Sequence, residues 1–181
     1  MAIDPQVGAI AIAVGATIFA GSAAMKFAAP AEFQAAVENY RIVPQAVALL
    51  TAWSVPLLEM AGAVGLLWAP ARAVAGALLL SLLTIFTGAI AINLARGRRQ
   101  IDCGCFGPVL RQHLSGWLIV RNAALAVVLA VAIGDESIRP FGAVDYVTIV
   151  SAAASLVMLY AAANYLLANA PVTEAMRMGD V

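Results

Sequence analysis

Cys103 and Cys105 flank a single glycine in the run Asp102-Cys103-Gly104-Cys105-Phe106-Gly107, and they are the only cysteines among 181 residues. Two thiols are too few for a zinc site, which takes four ligands. Three chemistries remain open. The first is a redox disulfide. Its Cα atoms must lie about 4.4–6.8 Å apart, a separation that a bend at Gly104 permits. So small a ring should be strained, and strained disulfides are the labile, oxidising ones. Arg96, Arg98, Arg99 and Arg111 nearby favour thiolate, and Asp102 opposes them. The second is a pair of thiolates holding Cu(I), a soft ion that prefers sulfur. The third is an inert pair of small residues in a glycine-rich turn.

A second set of chemistry-bearing residues sits inside apolar segments: Lys26, Glu59, Asn93, Arg121, Asn122 and Asn164. Ionisable groups in a bilayer are costly, so each needs a partner or a task. Lys26 at a span end is expected to snorkel to the interface. Asn93 and Asn164 suit interhelical hydrogen bonding as well as a site. Arg121 lies roughly 10 Å below the membrane surface at 1.5 Å per residue, too deep for a casual surface charge. Glu59 is the only acid well inside a span, so a Glu59–Arg121 pair is expected, with Lys26 as the competing partner. Such a pair can be purely structural. Apart from Glu59, these residues converge on the half-membrane beneath the cysteines, and they are expected to line a polar pocket there.

The elements that position these residues follow from composition. Of the residues, 64% are hydrophobic and 11% charged, and the formal net charge is zero. That is too little charge to cover a soluble domain, and nothing points to nucleic acid. The chain is expected to be a single membrane domain over residues 1–181, an all-α polytopic bundle with lipid around it. Five apolar runs, at about 7–29, 45–68, 71–95, 115–134 and 143–168, are long enough to cross a bilayer as helices. The first lacks the basic flank of a secretory signal, so it reads as a retained span. Trp68 and Trp117 lie where interfacial anchors belong. Between the first two runs, Phe33, Ala36, Val37 and Tyr40 recur at helical spacing, which predicts a short interfacial helix. Pro44 opens the second run and Pro56 lies within it.

Charge sets orientation. The end that carries the cysteines also carries Lys26, Arg41, Arg96, Arg98, Arg99, Arg111 and Arg177, while the opposite end carries Arg72 and Arg139. The cysteine loop is therefore expected on the cytoplasmic side. That placement is awkward for making disulfides outside the cell, unless the charge rule misassigns this end, the loop folds back into the membrane, or the redox partner is cytoplasmic.

Several pieces together resemble the MauE branch of the MauE/DoxX-like membrane proteins. Lys26 ends the first span and is followed by Phe33 and the run Glu38-Asn39-Tyr40-Arg41-Ile42-Val43-Pro44. Val55-Pro56-Leu57-Leu58-Glu59-Met60-Ala61-Gly62 occupies the second span. Asn93-Leu94-Ala95-Arg96-Gly97-Arg98 leads into the cysteine motif, and Trp117 and Arg121-Asn122 open the fourth span. The resemblance covers about residues 19–129. It implies a four-helix DoxX-like core plus a fifth span in a bacterial plasma membrane. The family's namesake is required to mature methylamine dehydrogenase, whose small subunit carries many disulfides. The resemblance thus implies a membrane component of thiol–disulfide exchange, with Cys103 and Cys105 as the redox pair and a separate thioredoxin-like protein or substrate dithiol as partner. A membrane quinone as electron acceptor follows only by analogy with other membrane thiol oxidases. A Cu(I)-binding membrane protein and a non-catalytic helical subunit of a larger complex are the competing readings.

Overall fold

The computed structural model describes residues 3–104, 112–134 and 139–178, with the side chains of the last helix described as far as residue 169. Six α-helices follow in order: α1 Pro5–Ala28, α2 Pro30–Tyr40, α3 Gln45–Leu67, α4 Arg72–Ala95, α5 Gly116–Ala132 and α6 Ala143–Met178. There is no strand among the described residues. Four helical stretches are long and apolar enough to cross a membrane: Pro5–Ala28, Gln45–Leu67, Ala69–Ala95 and Ala143–Asn169. The protein is an all-α, multi-pass membrane bundle. The expected fourth span is the shorter apolar helix α5. Its 17 residues cover about 25 Å, short of the ~30 Å hydrocarbon core.

Prolines mark the helix starts. Pro5 and Pro30 lie in the first turns of α1 and α2, where a missing N–H leaves no bond unmade, and Asp4 caps α1 by accepting from the Gln6 N–H at 2.8 Å. Helices α1, α3, α4 and α5 form a ring in which α1 and α4 each pack on both α3 and α5, and α6 lies outside against α1. Contact between α3 and α4 is close. A Cβ on Gly62 would stand 2.6 Å from the Leu79 side chain, so the small residue lets the helices approach. Leu66, Leu79 and Leu129 are fully buried in the apolar core, while Val74, Ile85, Val150 and Met158 project outwards to lipid.

The register between α1 and α3 decides where the site lies. Ser22 and Lys26 meet Glu59, and Gly15 faces Leu66. The same antiparallel register brings the end of α1 beside Ala52, leaving the first two turns of α3, about 10 Å, without α1 alongside. Helix α2 fills this gap. Phe33 packs on Ala52, Val55 and Phe86, and Tyr40 packs near Ile90 and Leu118. The helix predicted for residues 31–40 is therefore present, but its apolar face is buried against protein rather than laid on a lipid surface. Arg98 fastens its end, donating to the Tyr40 carbonyl at 3.3 Å and to Asn93 Oδ1 at 3.2 Å.

Candidate functional site

The segment after α4 turns back into the bundle. Its base is a short antiparallel pairing: Cys103 N–H donates to the Gln112 carbonyl at 2.8 Å and Leu114 N–H to the Ile101 carbonyl at 3.1 Å. The Asp102 carboxylate accepts from the Gly104 and Gln112 N–H groups at 3.3 and 3.2 Å. Gly104 has φ +71°, and a Cβ there would stand 2.7 Å from the Ala36 Cβ. Both the left-handed backbone and the close approach to α2 demand glycine. Tyr40 donates its hydroxyl to the Cys103 carbonyl at 3.3 Å. Burial, reinforced by the Asp102 carboxylate, holds the Tyr40 phenol above its usual range, so it remains a donor. Cys103 is only 3% exposed and is disulfide-bonded. Cys105, like Arg111, lies outside the described residues.

Below the loop is a buried ion pair. Lys26 Nζ lies 2.7 Å from both Glu59 oxygens and 2.6 Å from Ser22 Oγ, and Ser22 itself donates to Glu59 at 3.3 Å. The ammonium also sits 5.3 and 5.7 Å from the centroids of the Phe33 and Phe86 rings, whose faces attract a cation. Two expectations are corrected here. Lys26 does not snorkel to the interface: α1 stops about two turns short of the start of α3, so Lys26 lies at the level of Glu59. The expected Glu59–Arg121 pair gives way to Lys26–Glu59, because α3 and α5 face each other across the diagonal of the ring whereas α3 and α1 are neighbours.

Arg121 instead organises amide groups. Its guanidinium donates to Gln112 Oε1 at 3.2 Å, Asn164 Oδ1 at 3.0 Å and Asn122 Oδ1 at 3.1 Å. Asn122 donates onward to Thr87 at 2.9 Å, and Gln112 donates to the Asn164 carbonyl at 2.8 Å. This network ties α4, α5, α6 and the loop together. Lys26, Glu59, Arg121 and Asn122 line one cavity of about 50 Å³ with Tyr160 and Cys103. Asn164 reaches that group through Arg121. Asn93 does not join it: it is fully buried, but it bonds to Arg98 and to the Ala89 carbonyl at the end of α4.

Gln112 is the residue that sequence reasoning missed. It lies in a connection, where a polar residue is ordinary, yet it is buried because the connection folds inward. Ser22, Thr87 and Tyr160 likewise give no signal in the sequence, since hydroxyls are common in membrane helices and carry no charge. Chemically, the cavity brings a cysteine residue, a charged acid–base pair and a guanidinium around one small space. Its volume suffices for a water or two.

A family model described as "Methylamine utilisation protein MauE" matches residues 4–134. A methylamine utilization protein MauE of Paracoccus denitrificans is 37% identical over 152 residues, covering 83% of this chain and 82% of that protein. One from Methylophilus methylotrophus is 32% identical over 176 residues, covering 96% and 92%. One from Methylorubrum extorquens is 40% identical over 110 residues, covering 61% and 59%. No solved structure gives a significant match.

Proposed function

This chain belongs to the MauE family, and from that premise we propose that it is a membrane maturation factor whose Cys103–Cys105 pair exchanges a disulfide with a separate thioredoxin-like protein. The relatives are named for methylamine utilisation, and we assign the same setting to this chain. The observation that carries the proposal is the burial of Cys103 in the wall of a cavity that also holds the Lys26–Glu59 pair and Arg121. A sulfur that leaves as thiolate is stabilised by nearby cations, and a low thiolate pKa speeds its departure.

The exchange balances as follows. A thiolate of the partner attacks Cys105; the bond from Cys105 to Cys103 breaks and a mixed disulfide forms. Cys103 takes the electron pair as thiolate in the cavity. The partner's second thiolate then attacks its own bonded sulfur and releases Cys105. The partner loses two electrons and two protons, and the cysteine pair gains them. Cys103 receives the inner role because it is buried, so Cys105 receives the role of meeting the partner. The charge rule assigns this end of the bundle to the cytoplasmic face. An impermeant maleimide reads that assignment, and labelling of the reduced protein in intact cells rather than in inverted vesicles would reverse it.

The reading predicts an asymmetry between the two cysteines. Cys103→Ser should accumulate a mixed disulfide between Cys105 and a thioredoxin-fold protein, seen on a non-reducing gel and identified by mass. Cys105→Ser should trap none. Equal trapping by both variants, or by neither, would contradict the assigned roles.

A further inference from the structure

We propose that a membrane quinone binds in an apolar cavity between α2, α3 and α4 and reoxidises the cysteine pair; the proposal rests on the thiol–disulfide reading above. The cavity holds about 220 Å³ and shares Phe33, Leu82, Phe86 and Cys103 with the charged one. Its walls include Phe33 and Val37 of α2, Val55 of α3, and Phe86 and Ala89 of α4. Cys103 lines both cavities, so it borders a charged space and an apolar one.

Three observations select the ligand. Ile42 and Ile85, at the rim of the cavity, are exposed on the outside of the bundle, Ile85 among the residues that face lipid, so a ligand enters sideways from the bilayer. The Phe33 and Phe86 rings, tilted against each other with centroids 6.3 Å apart, give the cavity an aromatic wall on which a flat conjugated ring can pack. The volume is in the range of a ring with its first tail carbons and far exceeds what dioxygen fills. A reduced cysteine pair needs an acceptor of two electrons and two protons. Quinones are the lipid-soluble class that takes both. In the step, two S–H bonds break and one S–S bond forms, while two electrons and two protons convert the two ring carbonyls to hydroxyls. The quinol leaves as it entered, into lipid.

The test uses the full chain in lipid nanodiscs free of quinone, reduced and freed of reductant under anaerobic conditions. The probe is a benzoquinone with a ten-carbon tail. The expected result is one quinol per chain with loss of both free thiols. Ala89→Phe and, separately, Val37→Phe narrow the cavity and leave Cys103 and the charged residues themselves in place. Each should slow quinone reduction about tenfold or more, since a misplaced reactant loses rate steeply, while exchange with a small soluble disulfide stays unchanged. Quinone reduction at the unaltered rate in both variants would overturn the site. No reaction with quinone, and reoxidation of the thiols only once air is admitted, would overturn the ligand and leave the thiol reading standing. Failure to exchange with the small disulfide as well would remove both.

Discussion

Glu59→Gln is expected to cost the folded protein about 3–5 kcal/mol, because removing one member of a buried ion pair strands the other charge. The Lys26 ammonium is held at 2.7 Å from both carboxylate oxygens, and the two side chains are 3% and 5% exposed. Ser22 and the two phenylalanine rings supply only partial compensation. Lys26→Met should be as damaging, since it leaves Glu59 with the Ser22 hydroxyl. The double change Lys26→Met with Glu59→Gln should recover most of the loss, because neither charge remains. Glu59→Gln combined with Arg121→Gln should instead be close to additive, as the two lie in separate hydrogen-bond groups. Thermal unfolding in detergent measures these four variants together with Arg121→Gln alone. A Lys26/Glu59 pair whose losses simply add would refute the coupling.

Arg121→Leu is expected to cost about 3 kcal/mol or more and to expose Cys103. Hydrogen bonds from a charged donor contribute about 1.5–3 kcal/mol each, and Arg121 donates to three different amide side chains. One of these, Gln112, is the anchor that holds the loop against α5 and α6. Without it, the pairing of Cys103 with Gln112 loses its footing. In the reduced protein, alkylation of Cys103 by a maleimide should then become much faster than in the parent. Gln112→Leu should speed alkylation in the same way with a smaller loss of stability. Slow alkylation of Cys103 in both variants would show that the network does not hold the loop closed.

Apolar run lengths alone were enough to locate the spanning helices, to within about two residues at most ends. Helices α1, α3 and α4 begin or end where Pro5, Pro44 and the polar run at Arg96 place them. Depth along a membrane helix follows from residue count, and Lys26, Arg121 and Asn122 line one cavity with Cys103. Pairing was not legible. Depth counting assumed that every span starts and ends at the same two planes, and α1 stops about two turns short of the start of α3. That offset moves Lys26 onto Glu59 and opens the gap that α2 enters. Asn93 was misgrouped for a related reason: its depth is shared with the site, but Arg98 draws it towards the end of α2. Gln112 carried no signal at all. Whether a connection folds inward depends on tertiary contacts, here Gly104 on Ala36 and Tyr40 on the Cys103 carbonyl, that no local pattern encodes.

The central claim is that the cysteine pair cycles between dithiol and disulfide within one folded chain. Intact mass after alkylation, measured across a series of glutathione redox buffers, tests it directly. The account predicts two species that interconvert reversibly, one with both thiols alkylated and one with neither, and no such interconversion in Cys103→Ser. Both thiols remaining free under strong oxidant, or oxidation that yields only cross-links between chains, would contradict it.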